Sequence, residues 1–268
     1  MRKAIFITGG GSGIGRAVAQ RFAREGWFVG LADINTAGLA ETAALLPEGA
    51  SSTHVMDVRD RAACDGAIAD FARLSGGRLD VLFNNAGIGV GGQFGDVPPA
   101  DAERLIAINF TGVVNGIYAG LALLEKTPGS AILNTASAAA LYGSPGLALY
   151  SATKFAVRGL TEALDLEFSD HGPDGKGIKV RSLMPSFIDT PLLSQTVSGT
   201  NATSRERVMA AGLEFTPVET VAQAAWDAVH GNRVHTVVGR TARKLRLIAR
   251  WAPWLLKRRQ RALQRDGS

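Results

Sequence analysis

Residues 4–33 read AIFITGGGSGIGRAVAQRFAREGWFVGLAD, and this stretch decides the fold of the chain. A short apolar run at residues 4–8 enters a glycine-rich turn, and the helical periodicity after it ends at Gly26. A second apolar run, residues 27–32, ends at Asp33. Strand, glycine turn, helix, strand and acid follow in the order that a dinucleotide-binding βαβ unit requires. The start of the chain therefore predicts a nucleotide site.

The glycine turn has a specific chemical use. A backbone without side chains can approach a pyrophosphate closely, and the helix that follows points its positive N-terminus at the anion. Asp33, about 20 residues beyond the turn, can accept hydrogen bonds from a ribose diol, whereas a 2′-phosphate there would meet its negative charge. The alternative is an ordinary strand-to-helix turn without a ligand.

The rest of the chain alternates apolar runs with helical patterns. We predict further strands at residues 52–58, 79–83, 130–137, 178–184 and 234–238, a helix and a loop within residues 36–50, and helices at residues 62–74, 101–124, 147–163 and 220–230. This alternation predicts an α/β fold in one doubly wound, Rossmann-type domain, residues 1–240, with a seven-stranded parallel sheet and helices on both faces. Residues 187–216 show little pattern and are the natural candidate for a lid.

Polar side chains recur where the predicted strands end, at the edge where open α/β sheets bind ligands. Asp57, followed by Val58, could accept from an adenine amino group or cap the next helix. The segment NNAG, residues 84–87, could leave room for a ribose, or it could form an ordinary Asx turn. Asn109 interrupts an apolar helix and suggests a kink, a bound water or a partner.

Tyr150 and Lys154 lie four residues apart in the predicted helix 147–163, so their side chains share one face. A neighbouring cation favours the phenolate and brings the phenol's pKa, ordinarily about 10, nearer to neutrality. The pair is therefore a candidate acid–base device, and a surface tyrosine beside a solvated lysine is the alternative. Ser137 closes the fifth predicted strand and is either a further member of this site or a strand-end cap.

Several of these motifs, in this order and spacing, resemble the short-chain dehydrogenase/reductase family over residues 1 to about 240. The turn Thr8-Gly9-x-x-x-Gly13-x-Gly15 and the NNAG segment match the family's cofactor motifs. The catalytic four of the family match Asn109, Ser137, Tyr150 and Lys154. Ser186 is a departure, because glycine is common in the family after the residue that matches Pro185.

The resemblance implies an NAD(H)-dependent oxidoreductase that interconverts a secondary alcohol and a ketone. Tyr150 would be the acid/base and Lys154 would lower its pKa and hold the nicotinamide ribose. Ser137 would orient the substrate oxygen, and Asn109 would anchor a water. The cofactor contacts would come from Thr8, Gly9, Ser12, Gly13, Ile14, Gly15, Asp33, Asp57, Val58, Asn85, Ala86, Gly87, Tyr150, Lys154, Pro185, Ile188 and Thr190.

Two of these contacts carry more specific implications. Thr190 would touch the nicotinamide carboxamide, and Asp33 would favour NAD over NADP. An NADP-linked carbonyl or 3-oxoacyl reductase and a non-catalytic nucleotide-binding protein remain as alternatives. The apolar residues of segments 138–147 and 187–216 suggest an apolar ligand.

Charge separates the body of the chain from its tail. Ten of the 29 Lys and Arg residues lie in residues 240–268, with Asp266 as the only acid there, so the remainder carries a net charge of about −4. The high pI therefore gives no support to a nucleic-acid-binding core. Residues 241–268 form a basic amphipathic extension in which Pro253 should end one helix and could open a second.

Three functions compete for this tail. It could pack on the protein's own surface or on a sister subunit, lie on an acidic membrane as an interfacial helix pair, or act as a nucleic-acid arm. The first is the expectation. The single Cys64 excludes an internal disulfide framework, and we predict no metal site. The family resemblance implies a homodimer or homotetramer, which we expect in the cytoplasm, with membrane association as the alternative.

Overall fold

A seven-stranded, fully parallel sheet forms the centre of the computed structural model, which describes residues 2–258. The strands are β1 (Ala4–Thr8), β2 (Phe28–Asp33), β3 (Ser51–Val55), β4 (Val81–Asn84), β5 (Ala131–Thr135), β6 (Lys179–Pro185) and β7 (His235–Val238). Their spatial order is β3-β2-β1-β4-β5-β6-β7. The strands β1 to β3 are added towards one edge of the sheet and β4 to β7 towards the other, so the strand order switches between β1 and β4. The predicted Rossmann-type fold is confirmed.

Helices cover both faces of this sheet. They are α1 (Gly13–Arg24), α2 (Thr36–Ala44), α3 (Arg61–Leu74), α4 (Pro99–Ile106), α5 (Gly112–Leu124), α6 (Ala148–Glu167), α7 (Ser204–Ala210), α8 (Val218–His230) and α9 (Arg240–Trp251). The strands supply alternate residues to two cores. On β1, Ile5 and Ile7 join the core under α1, α2 and α8, whereas Ala4 and Phe6 join the core under α3, α5 and α6.

The helix predicted over residues 101–124 is interrupted. Ala107–Thr111 form a π-helical turn between α4 and α5, and Asn109 lies inside it. The predicted local distortion at Asn109 is therefore present, and π turns of this kind occur often at functional sites. By length and composition the stretch Pro99–Leu124 could cross a membrane, but Val113, Ile117 and Leu124 are buried in the core on one face of the sheet.

The third strand is shorter than predicted, and one alternative for Asp57 is wrong. β3 ends at Val55, so Asp57 and Val58 lie beyond it. Asp60, not Asp57, caps α3, because its carboxylate accepts from the backbone N–H of Ala63 at 3.1 Å. Asp57 instead binds the guanidinium and backbone N–H of Arg59, and this bonding lowers the pKa of the Asp57 carboxyl.

Segment 187–216 contains more structure than predicted. A 3₁₀ turn spans Pro191–Ser194, and α7 begins at a capping box in which Thr203 and Glu206 exchange hydrogen bonds. The Thr-x-x-Glu spacing of Thr203 and Glu206 is a capping-box pattern that indicates the start of this helix in the sequence. A helix of only seven residues is too short to show periodicity, so the sequence pattern missed it.

The tail starts as expected. α9 ends at Trp251 and the chain is helical again over residues 253–258, so Pro253 opens a second helix. Trp251 does not share the inner face of α9 with Leu245 and Ile248. Those two side chains are half-buried, whereas Trp251 is exposed. Residues 259–268 of the predicted extension lie outside the described part of the chain.

Gly30 offers a test of how tightly the sheet packs on α3. A Cβ there would lie 2.5 Å from Phe71 and 2.6 Å from Phe6, both of which are fully buried. We expect Gly30→Ala to lower the free energy of unfolding by about 1–3 kcal/mol, because neither ring can move without repacking the core. Denaturant titration followed by circular dichroism measures this change.

The matched control is Gly66→Ala on the exposed side of α3, where a Cβ would meet nothing within 4 Å. This substitution should stabilise the protein by up to about 1 kcal/mol, because alanine is the better helix former. If the two variants changed stability in the same direction, the tight packing at Gly30 would be contradicted.

Candidate active site

The glycine turn after β1 leaves its backbone open to a ligand. Gly9 and Gly13 have φ angles of +68° and +49°, which side chains disfavour, and a Cβ on Gly15 would lie 2.1 Å from the Gly9 carbonyl oxygen. Ser12 precedes α1 but makes no side-chain cap, and the first turn of α1 has no acidic residue. The positive N-terminus of this helix is therefore left for an anion.

Asp33 is held against the same turn. Its carboxylate accepts from the backbone N–H of Gly11 at 3.0 Å and from that of Asn35 at 3.0 Å. The side chain of Ile34 beside it is exposed. The structure thus brings the predicted diol acceptor to the end of β2, next to the glycine turn, with an apolar neighbour at the surface.

Asn85 connects this turn to the next two strands. The Thr8 hydroxyl oxygen accepts from the backbone N–H groups of Asn85 and Ala86 at 3.0 and 3.1 Å. The amide nitrogen of Asn85 donates to the Thr8 carbonyl at 3.1 Å, and its amide oxygen accepts from the Thr135 hydroxyl at 3.2 Å. The ends of β1, β4 and β5 are therefore tied together by one side chain.

Lys154 reaches the same network from α6. Its side chain is buried, and its Nζ donates to the Thr135 carbonyl at 2.9 Å. A Cβ on Gly87 would lie 3.6 Å from this Nζ and 3.2 Å from Asn109 Oδ1. Burial lowers the pKa of Lys154 to about 8, because the charged ammonium loses solvation.

Tyr150 and Ser137, two of the predicted catalytic residues, lie next to each other. Ser137 lies close enough to Tyr150 for its hydroxyl to affect the pKa of the phenol, and Lys154 Nζ lies 5.7 Å from the centroid of the Tyr150 ring. Burial raises the pKa of Tyr150, and the Ser137 hydrogen bond opposes that rise. The expected lowering by Lys154 is not found, since the ammonium is directed to the Thr135 carbonyl and burial dominates.

Asn109 is a satisfied core amide. Its Oδ1 accepts from the backbone N–H of Ile88 at 2.8 Å, and its Nδ2 donates to the Ile88 carbonyl at 2.9 Å. The Nδ2 also lies 3.4 Å from the hydroxyl of Thr153, which donates to the Tyr150 carbonyl at 2.8 Å. Asn109 therefore joins the loop after β4 to the helix that carries Tyr150.

Of the remaining predicted cofactor contacts, some lie near the glycine turn or in the core beside it, and Asp57 and Val58 lie beyond the end of β3. Thr190 lies at the glycine turn, because a Cβ on Gly13 would be 3.1 Å from its methyl group. Pro185 ends β6, and Ile188 and Ile14 pack in or against the core under α1 and α8. Val58 is buried, and its carbonyl accepts from Asn115. Val58 and Asp57 are thus hydrogen-bonded within the protein, Val58 to Asn115 and Asp57 to Arg59.

Two functional candidates were missed from the sequence. Thr135 supplies both the carbonyl that binds Lys154 and the hydroxyl that binds Asn85. Thr153 is buried between Asn109 and the backbone of Tyr150. The polar end of the fifth strand pointed towards Thr135, but no residue pattern reveals a carbonyl acceptor. Within residues 2–258, His, Cys, Asp and Glu form no cluster of three that could hold a metal ion.

Three loops are joined around the mouth of this site by main-chain hydrogen bonds. The N–H of Gly92 donates to the Gly146 carbonyl at 2.9 Å, and the N–H of Ser198 donates to the Gly91 carbonyl at 2.8 Å. A Cβ on Gly89 would lie 3.1 Å from Leu192. The segments 138–147 and 187–216 therefore meet the loop after β4, as walls of one pocket would.

The departure at Ser186 has a structural explanation. Its hydroxyl is 3.3 Å from the hydroxyl of Thr216, and a Cβ on Gly239 would lie 2.3 Å from Ser186 Oγ. The serine side chain therefore occupies space that opens because residue 239 is a glycine. This arrangement joins the end of β6 to the start of α9.

Comparisons with known proteins agree with this geometry. The family model described as short chain dehydrogenase matches residues 3–201. Meso-2,3-butanediol dehydrogenase of Serratia marcescens is 37% identical over 226 residues, which cover 84% of this chain and 87% of that protein. The probable oxidoreductase EphD of Mycobacterium tuberculosis is 35% identical over 207 residues. The match covers 76% of this chain but only 34% of that longer protein.

A solved structure extends the agreement to three dimensions. A short-chain dehydrogenase/reductase from Burkholderia phymatum in complex with NAD superposes with a TM-score of 0.80 at 28% identity, covering 92% of each chain. The sheet order, the glycine turn and the Ser137–Tyr150–Lys154 cluster are all present in the described fold. The chain belongs to the short-chain dehydrogenase/reductase family of oxidoreductases.

Proposed function

We propose that this protein is an NAD(H)-dependent dehydrogenase that interconverts a secondary alcohol and a ketone. The observation that carries the proposal is the meeting of three groups beside the glycine turn. These are the Ser137 hydroxyl, the Tyr150 phenol and the Lys154 ammonium. A hydrogen-bond donor, a titratable acid and a buried cation at one sheet edge suit proton exchange with a substrate hydroxyl.

The residues at the turn fit a nicotinamide dinucleotide. Closely packed glycines and the uncapped start of α1 suit the pyrophosphate, and Asp33 suits a ribose diol. Thr190 and Lys154 would hold the nicotinamide end, with Asn85, Ala86 and Gly87 between the two ends. When bound, the nicotinamide supplies the hydride acceptor or donor.

The proton chemistry belongs to the protein's own side chains. Ser137 would donate to the substrate oxygen and hold it next to the phenol of Tyr150. In the oxidative direction the Tyr150 phenolate takes the hydroxyl proton, and in the reductive direction the phenol returns it. Thr135 fixes Lys154 through its carbonyl, and Asn109 and Thr153 fix the helix turn that carries Tyr150.

The charge around Asp33 supports NAD as the cofactor. The Asp33 carboxylate lies against Gly11, and the next residue is the apolar Ile34. The nearby cation Arg16 is occupied, because it donates to the Gly11 carbonyl and to Glu41, each at 2.7 Å. A 2′-phosphate there would meet a carboxylate without a free counter-charge. The similar Burkholderia phymatum structure holds NAD.

The pocket walls support a mainly apolar substrate. Leu141, Tyr142 and Leu147 lie half-buried in one wall segment, and Phe187 and Leu192 lie half-buried in the other. One relative is named for a small secondary alcohol, meso-2,3-butanediol. We extend the proposal to a cytoplasmic homodimer or homotetramer that acts on such alcohols and ketones.

Tyr150→Phe tests the acid–base role. The variant should keep NADH binding, measured by fluorescence titration, and lose about 10²- to 10⁴-fold in turnover, because it has no proton to exchange. Tyr118→Phe is the matched control, since Tyr118 is exposed on α5 and contacts Arg61. A Tyr150→Phe enzyme as active as the parent would remove the mechanism.

Asp33→Ser tests the cofactor preference. Repulsion between two charges about 4 Å apart is roughly 4 kcal/mol at the surface of a protein, so removing one should raise the NADP-to-NAD ratio of kcat/KM by about tenfold or more. Asp65→Ser on exposed α3 should leave this ratio unchanged. A parent enzyme that prefers NADP in the same titration would overturn the assignment.

Ser137→Ala tests the source of the Tyr150 pKa. Alcohol oxidation needs the phenolate of Tyr150, so kcat/KM should rise with pH and level off once the pH exceeds the pKa of Tyr150. Ser137 is the group that lowers the pKa of Tyr150, so its removal should shift the rising limb to higher pH as well as slow the reaction. The limb is measured from initial rates of NADH formation across the pH range.

Ser151→Ala is the matched control for this shift. Ser151 adjoins Tyr150 in α6, but its buried hydroxyl has no hydrogen-bond partner among residues 2–258. The limb should stay in place in this variant. An unmoved limb in Ser137→Ala would show that the hydrogen bond does not set the pKa of Tyr150.

A further inference from the structure

Helix α9 has two sides with different surroundings. Its inner side packs on β7 and on the 3₁₀ turn Ala138–Ala140, with Ala242 buried and Leu245 half-buried. On its outer side Leu247 is 56% exposed and Trp251 is 69% exposed. Packing on the protein's own surface, which the favoured expectation allowed beside packing on a sister subunit, is thus present on one side only.

The exposed apolar side chains continue into the next helical segment. Within residues 253–258, Trp254 is 65% exposed and Leu255 is 49% exposed. Leu247 and Trp251 are four residues apart and share one side of α9, and Trp254 and Leu255 follow in the second helix, which begins at Pro253. We call these four residues the apolar tail face. Large side chains left in water in such a group mark an interaction surface.

Cations surround the apolar tail face. Residues 240–258 contain seven Arg and Lys residues and no acid, and all seven are exposed. They are Arg240, Arg243, Lys244, Arg246, Arg250, Lys257 and Arg258. None of the ion pairs found within residues 2–258 involves any of these seven side chains. Their charge is therefore available to a partner.

We propose that the apolar tail face and its surrounding cations form a docking surface for an anionic phospholipid bilayer. Trp and Leu side chains enter the boundary between headgroups and acyl chains, while Arg and Lys side chains bind lipid phosphates. The Arg250 guanidinium already lies 5.2 Å from the centroid of the Trp251 ring, so one cation and one aromatic group reach the interface together. The attachment is peripheral and reversible.

The charge pattern favours a bilayer over other partners. In a two-fold contact between identical surfaces, seven cations would face seven cations without a described acid between them. Nucleic acid would accept the cations through its phosphates but gives no burial to Leu247 and Leu255. An anionic bilayer satisfies both the charge and the apolar area.

The docking surface adjoins the catalytic site without including it. α9 packs on the 3₁₀ turn that follows Ser137, and it starts directly after Gly239, which lies against Ser186 and Thr216. A bilayer on the outer side of α9 would therefore lie one helix away from the pocket wall. The proposal does not depend on the proposed reaction.

The test uses the full chain with two kinds of vesicle, phosphatidylcholine alone and phosphatidylcholine mixed with phosphatidylglycerol. The protein should sediment with the mixed vesicles at low salt and be released at high salt. Tryptophan emission should shift to shorter wavelength on binding. Trp27 is buried and Trp226 packs half-buried against the core under α1 and α8, so the shift would report on the exposed Trp251 and Trp254.

Two double variants separate the apolar and the charged contributions. Arg246→Gln with Arg250→Gln should weaken the partition coefficient by about five-fold per cation. Trp251→Ser with Trp254→Ser should weaken it by at least about tenfold and abolish the emission shift. Leu74→Ser is the control, because Leu74 is 54% exposed at the end of α3, far from the tail in the chain. Circular dichroism confirms that each variant folds.

Three outcomes would overturn the proposal. The first is no sedimentation of the folded parent with anionic vesicles at low salt. The second is binding that both double variants retain. The third is loss of self-association in the Trp double variant, measured by light scattering, with unchanged vesicle binding; this would assign the apolar tail face to a second copy of the chain.

Discussion

The amide of Asn85 is the contact on which the rest of the site depends. It binds the Thr8 carbonyl at 3.1 Å and the Thr135 hydroxyl at 3.2 Å, and the Thr135 carbonyl in turn binds Lys154 at 2.9 Å. These contacts form only because parallel β1, β4 and β5 end at the same edge of the sheet. The glycine turn and the acid–base pair are therefore placed relative to each other by strand register.

Burial opposes charge at the centre of this arrangement. It raises the pKa of Tyr150 and lowers that of Lys154 to about 8, so it favours the neutral form of both groups. The Thr135 carbonyl and the Ser137 hydroxyl work in the other direction. The Thr135 carbonyl gives the ammonium a hydrogen-bond acceptor, and the Ser137 hydroxyl lowers the pKa of the phenol. The balance between desolvation and these two neutral partners sets the protonation state of the site.

Much of this could be predicted from the sequence, because hydrophobic periodicity and glycine spacing are local properties. The βαβ start and the seven strands followed from them, whereas the convergence of Ser137 with Tyr150 was implied by the family resemblance. The role of Thr135 could not, because its carbonyl acts and every residue has one. The pKa of Tyr150 depends on how deeply α6 is buried. The alternative in which Asp57 caps α3 is wrong, and the sequence pattern does not show that α3 begins only at Arg61, after Asp60.

The main-chain bonds that join Gly91, Gly92, Gly146 and Ser198 have a consequence for how substrate range can change. Because these bonds use backbone atoms, the frame around the entrance survives replacement of the side chains that project from it. Selectivity can thus drift by single substitutions without a loss of architecture. Transplanting one of the three loops from a relative would instead break the shared bonding, so engineers should exchange all three as one unit.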